Sequence, residues 1–367
     1  MREPRYPAAR SVAPRLLAHF AQGAAPPGTP LPDLAAIEAL VDAAFWASLQ
    51  REEGYAPEIS LAFLPPDQAV RPLRLAPPLP LGPRGLSQLS PAVERPGIHL
   101  GVWRSGEELV VWGTTRTVPP YCFVLEVVAP GLLVVKHRVR EDSAKFRNVA
   151  VFHGEEVKIL SRDPAGVADH PPLLRPLLAP ESAEGGAELL LRLAVSMRAH
   201  KRGGTLLVVP AGNDSWRESI VRPIGYAVDP PFTELEELLR ETGAAPDPDK
   251  AAIARAVDAL AGLTAVDGAT LITDRFELLA FGVKIARPHG RLRVERVCVT
   301  EPIEGGRPEV LAPLQLGGTR HISAAQFAQD QEDAFALVAS QDGRFTVFAW
   351  CEREGMVHAH RVEALLL

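Results

Sequence analysis

The hydrophobic positions change period along the chain, and the change divides it. Between Pro32 and Gly54, Leu34, Ile37, Leu40, Val41, Phe45 and Leu49 recur at helical spacing, which predicts an amphipathic helix closed by Gly54. From Gly97 the pattern becomes short β-branched and aromatic runs separated by Ser-Gly, Pro-Pro and Pro-Gly, with a further hairpin expected around His153 and Gly154. That region, 97–162, reads as a module of antiparallel strands. Trp103 and Trp112 within it are either core and cross-strand partners or the lining of a ligand site.

A third regime follows a stretch rich in proline, glycine and acidic residues. Leu190, Leu193 and Met197 form one face of a helix that ends in Lys201, Arg202 and a glycine pair, and "TLLVVP" then reads as a strand buried on both faces. Thr233 and Glu236 make a capping-box pattern, and Ile253, Val257 and Leu260 share a stripe. Strands are expected at "DGATLITD", "LLAFGVKIA", "RVCVT", "AFALVAS" and "RFTVFAWC". The fold class is α/β, a C-terminal mixed sheet flanked by helices preceded by a smaller α+β module. The expected domains are 1–182, with a linker over 163–186, and 187–367.

Composition narrows this picture. Nearly half of the 35 prolines precede Gly97, which excludes long helices there except between interruptions. A hydrophobic share of 47% fits globular domains, and a net charge of -6 gives no electrostatic reason to expect nucleic acid or an anionic membrane as partner. No run approaches the roughly 20 apolar residues that span a bilayer, so a cytoplasmic protein is expected. Cys122, Cys298 and Cys351 are odd in number and far apart, suggesting neither a disulfide framework nor a zinc site.

Three short motifs carry candidate chemistry. In "LGGTRHISAAQF", Gly317 and Gly318 permit close backbone approach, Thr319 adds a hydroxyl and Arg320 a planar fork, next to a helix whose first turn is expected near His321. This is a phosphate cradle or an ordinary helix start. In "AVDGATLITD", Asp267 precedes the small Gly268 and Ala269; the carboxylate suits Mg²⁺ or Mn²⁺, while Asp-Gly is also a common turn. In "LVASQDGRFTVF", Ser340, Gln341 and Asp342 close a strand before Gly343, as a binding element or a hairpin turn.

Taken in order, "DGA" at Asp267–Ala269, "GTRH" at Gly318–His321 and "ASQDG" at Ala339–Gly343 resemble the catalytic domain of diadenylate cyclases. The preceding "AVSMRAHKRGGTLLVVP" is similar to that family's opening helix and strand, and the resemblance runs from about Ala187 onward. It implies condensation of two ATP molecules, held on facing copies of a homodimer, into cyclic di-AMP and pyrophosphate. It also implies a metal, Mg²⁺ or Mn²⁺, held by Asp267 with help from Asp342. Asp267 would assist the ribose 3′-hydroxyl, Gly268 and Ala269 would leave room for the nucleotide, Gly318 through His321 would grip phosphate, and Ser340 would contact it. The family's arginine after the histidine is Ile322 here, a loss that can remove about 2 to 4 kcal/mol of transition-state stabilisation. His289, Arg291 and Arg293 are candidates to replace that charge. The alternative is a degenerate domain that senses a nucleotide or cyclic dinucleotide without turnover. The N-terminal half resembles the sensor modules described as DACNV-like.

Overall fold

The computed structural model describes residues 5–23, 25–51, 54–140, 145–161, 173–178, 180, 185–244 and 250–367. The chain forms two compact units, 1–161 with Leu367, and 162–366. The larger part of the expected 163–186 linker, including Ser182, lies outside the described residues.

The first unit begins with α1 (Pro7–Gln22) and α2 (Leu34–Ser48), followed by β1 (Ile59–Phe63), β2 (Leu73–Pro80) and α3 (Pro83–Leu89). Six more strands follow: β3 (His99–Ser105), β4 (Glu108–Thr115), β5 (Val124–Ala129), β6 (Leu132–Arg138), β7 (Phe146–His153) and β8 (Glu156–Ile159). All eight strands join one sheet in the order β2-β4-β3-β1-β5-β6-β7-β8. The sheet is mixed rather than antiparallel, because β1, from the proline-rich opening, inserts centrally and runs parallel to β3.

Proline did not prevent a long first helix. Pro7 occupies the first turn, where no N–H is needed, and Pro14 lies on the exposed face, so the carbonyl it leaves unbonded can meet water. Val12, Ala13, Leu16 and Phe20 form the buried stripe. In α2 the Asp33 carboxylate accepts from the Ala36 amide at 2.9 Å and caps the start. Ile37, Leu40 and Val41 are buried as expected, whereas Leu34 and Leu49, at the two ends, are exposed. Trp112 is a core residue: its indole N–H donates to the Leu64 carbonyl at 2.7 Å, and its ring fills the space over Gly101 where a Cβ would stand. The hairpin at His153 and Gly154 forms between β7 and β8.

In the second unit, α4 (Arg175–Leu178) and α5 (Gly186–Ala199) precede β9 (Gly204–Val209), β10 (Tyr226–Phe232), α6 (Glu234–Ala244) and α7 (Lys250–Leu263). Next come β11 (Ala269–Thr273), β12 (Leu278–Val283), β13 (Val297–Thr300) and β14 (Glu309–Leu311), then α8 (Thr319–Asp330), β15 (Phe335–Ala339), β16 (Phe345–Cys351) and β17 (Met356–Arg361). The nine strands run β10-β12-β11-β9-β15-β16-β17-β13-β14, with β9 parallel to β11 and β13 parallel to β17. The expected mixed sheet is present.

The period-2 alternation of a strand explains how helices cover both faces. On β9, Leu206 and Val208 enter a core with Leu190, Leu193 and Met197 of α5 and Val257 and Leu260 of α7. Leu207 and Val209 point the other way, into a core with Ala324, Ala325, Phe327 and Ala328 of α8. Every residue of β9 is buried, as its unbroken apolar run requires. At the start of α6 the Thr233 hydroxyl donates to the Glu237 carboxylate at 2.7 Å, and the Glu237 amide donates to the Thr233 carbonyl at 2.9 Å. Among the described residues no helix is long and apolar enough to cross a membrane.

Candidate functional site

The three motifs, distant in sequence, line one cavity of about 720 Å³ in the second unit. Asp267, Gly268 and Ala269 enter it from the start of β11, Gly317 through His321 from the start of α8, and Ala339 through Asp342 from the β15–β16 turn. Central pairing explains the convergence: β9 lies between β11 and β15, and α8 packs on these strands. The volume falls in the range of small-molecule sites.

Helix α8 starts earlier than expected, at Thr319, with Gly318 as its N-cap and no side chain capping it. The first internal bonds are made by the His321 and Ile322 amides to the Gly318 carbonyl, so the Thr319 and Arg320 amides precede them and remain for a ligand. The Arg320 guanidinium leans on bare backbone: a Cβ on Gly203 (φ +70°) would lie 3.0 Å from its Nη1 and 3.3 Å from the Ala339 carbonyl. Ile322 does not line the cavity, whereas Ser323, one helical turn beyond Thr319 and Arg320, does.

His321 is buried, and Gly317 makes this possible, since a Cβ there would stand 2.5 Å from the imidazole Nδ1. Burial lowers the His321 pKa first; Asp342 opposes the shift, while Arg344, Arg361 and Arg320 add to it. The lowered pKa favours the neutral ring, which can offer a phosphate one hydrogen bond.

Asp267 has the opposite environment. Its side chain is 91% exposed, and the Lys284 ammonium donates to its Oδ2 at 2.6 Å. That hydrogen bond and charge hold the Asp267 carboxyl below its usual range, with a smaller contribution from Arg320, so it is ionised at neutral pH. Gly268 answers a need of the fold: at φ +115°, a Cβ would lie 2.5 Å from the Gly282 carbonyl carbon on neighbouring β12. The room it leaves is taken first by that strand, while Gly268 also lines the cavity.

The third motif is a tight turn. Ser340 donates its amide to the Arg344 carbonyl at 2.9 Å and Gly343 donates to the Ser340 carbonyl at 3.2 Å. Asp342 accepts from the Arg344 amide at 3.2 Å, and the Arg344 Nε lies 3.4 Å from its other oxygen. The Arg198 Nε donates to the Gly343 carbonyl at 3.1 Å and anchors the turn to α5.

Lys284 and Arg344 are cavity residues that the sequence reading missed. Lys284 follows β12, whose Val283 pairs with Ala269, so its placement beside Asp267 depends on a strand pairing invisible in one sequence. Arg344 carried a weak signal, as the basic residue two positions after Asp342. Of the candidates to replace the arginine absent at Ile322, Arg291 and Arg293 line a different cavity of about 600 Å³, and His289 lines neither.

Three cations (Lys284, Arg320, Arg344) thus face two carboxylates (Asp267, Asp342) around one space. The hard carboxylate oxygens fit Mg²⁺ or Mn²⁺ in type. Two carboxylates cannot fill an octahedral shell, and neither belongs to a group of three or more Asp, Glu, His or Cys ligand atoms among the described residues, so phosphate oxygens and water would have to complete it.

The family model described as "Probable sensor domain DACNV" matches residues 27–116, within the first unit. Residues 27–116 are thus similar to that probable sensor domain, and the match stops well short of the cavity. Among solved structures, one similar chain is described as a hypothetical membrane spanning protein from Bacillus cereus. It shares 17% identity over 51% of this chain and 67% of its own, with a TM-score of 0.27. No curated protein matches the chain.

Proposed function

We propose that the second unit is a diadenylate-cyclase-like nucleotide-binding domain that holds ATP in this cavity, with the DACNV region as its sensor module. The observation that carries the reading is the meeting of Asp267, Thr319–His321 and Ser340 around one space that also holds Lys284 and Arg344. Fixed cations and helix-start amides suit a triphosphate and the charge that grows on departing pyrophosphate. Arg344 and Lys284 supply positive charge that Ile322 does not.

In this reading two copies face each other, each presenting ATP, and each ribose 3′-hydroxyl displaces pyrophosphate from the other nucleotide to give cyclic di-AMP. Arg320 and the Thr319 amide hold phosphate oxygens, and Ser340 binds from the β15–β16 turn. Neutral His321 directs one hydrogen bond. Ionised Asp267 accepts from the approaching 3′-hydroxyl once Lys284 turns to the phosphates. Asp267 and Asp342 would hold Mg²⁺ or Mn²⁺, which would neutralise phosphate charge during in-line attack.

A second reading, a nucleotide sensor without turnover, is favoured by the Lys284–Asp267 contact at 2.6 Å, which occupies the carboxylate expected to hold the metal. Incubating the full chain with ATP and Mn²⁺ or Mg²⁺, followed by mass spectrometry, separates the two. The cyclase reading expects cyclic di-AMP and pyrophosphate, reduced at least about 100-fold in Arg320→Ala. ATP binding that needs Arg320 but yields no cyclic dinucleotide would establish the sensor, and no binding at all would remove both.

A further inference from the structure

Away from this cavity, Cys298, Glu354 and His358 bring a thiol, a carboxylate and an imidazole together, their ligand atoms all within 4.8 Å of one another. The sheet builds the cluster. Cys298 on β13 is directly opposite His358 on parallel β17, so both project from the same face, and Glu354 returns from the β16–β17 turn to accept or share a proton with His358 Nε2 at 2.9 Å. Cys298 and His358 are buried, at 3% and 4% exposure, while Glu354 reaches solvent and leaves a route of entry.

We propose that these three residues bind one divalent transition ion of the zinc class, clipping the β16–β17 turn to β13. A surface ion pair needs no thiol, and an isolated buried cysteine needs no exposed carboxylate; a thiolate–imidazole–carboxylate set is the donor mixture zinc accepts. Three protein donors leave the fourth tetrahedral position to water. On binding, the Cys298 thiol gives its proton to solvent. His358 Nε2 turns its lone pair to the ion with the proton on Nδ1, and Glu354 exchanges its hydrogen bond to His358 for the ion. The hard-cation chemistry proposed at Asp267 is separate, since that cavity offers no sulfur.

The reduced, metal-free full chain is titrated with Co²⁺, whose thiolate charge-transfer absorption reports sulfur coordination and is silent for an all-oxygen site. Zn²⁺ then displaces it in competition with a coloured chelator. The proposal expects one equivalent of Co²⁺ with the thiolate band, no band in Cys298→Ser, and Zn²⁺ affinity at least about tenfold weaker in Glu354→Gln, because loss even of a group that only supports a ligand costs that much. Glu354 is exposed, so this variant keeps the fold and the test remains decisive if Cys298→Ser does not fold. A wild-type chain with no thiolate band, equal Zn²⁺ affinity in Glu354→Gln, or a Cys298–Cys351 disulfide in the protein as isolated would each overturn it.

Discussion

At the scale of single residues, the cavity depends on side chains that are missing as much as on those present. Gly317 has no Cβ, and the His321 ring occupies that space. Gly317→Ala is expected to displace the imidazole and weaken nucleotide binding, and in a His321→Ala background the same change should have little further effect; a double-mutant cycle of ATP affinities measures this coupling. Gly268→Ala differs in kind, because it meets backbone at 2.5 Å in a conformation that L residues rarely adopt. It is expected to cost about 1–3 kcal/mol and to lower Tm whether or not a ligand is present, as thermal unfolding would show. The sequence displayed both glycines but not which neighbour required them. Lys284→Met should release Asp267 from its ion pair and raise its pKa toward the ordinary value, measurable by carboxylate NMR titration; an unmoved pKa would mean that Lys284 is not what holds it down.

At the scale of elements, uniform patterns were legible and mixed ones were not. The apolar runs of β9, β11, β15 and β16 announced themselves, because strands buried on both faces need no polar residue. β10 and β17 did not. "YAVDPPF" is an exposed edge strand interrupted by prolines, and "MVHAHR" places histidines where an aliphatic face would be expected. Helix α1 was hidden by Pro14, which a solvent-facing position tolerates. In the first sheet, Ser60 on β1 and His99 on β3 meet at 2.7 Å. Burial, and then Lys136, lowers the His99 pKa from 6.5 to about 4. A histidine that is neutral when folded and protonated when unfolded makes stability rise with pH. Its contribution is complete above pH 6.5 and is lost on acidification toward pH 4, by about 3 kcal/mol at most. Denaturant unfolding of wild type and His99→Gln across that window should show a shallower pH slope in the variant.

At the scale of the whole molecule, the sequence announced an α/β chain with a change of character along its length, and the structure divides it after Ser161. What the sequence could not supply was pairing: that β1 enters the first sheet parallel to β3, or that β12 delivers Lys284 to Asp267. Both depend on contacts between distant segments, which one sequence does not record. A reaction needing two facing copies predicts that the turnover per chain rises with protein concentration and then saturates. Product formation measured over a dilution series tests this, and a rate per chain independent of dilution would point to one copy acting alone.

Arg320 belongs to α8, yet its guanidinium rests over Gly203 at the entrance to β9, a glycine that the Ala339 carbonyl and the Gln341 side chain also approach. The turn after β15 touches the same spot, since the Gln341 side-chain amide donates to the Arg202 carbonyl at 3.3 Å. The spacing of the β15–β16 turn then acts as a ruler for the phosphate grip. One residue inserted between Ser340 and Arg344 would detune that grip while leaving every atom of the Gly318–His321 motif chemically intact, so motif-bearing relatives that differ in this turn should be sorted by its length before their activities are compared.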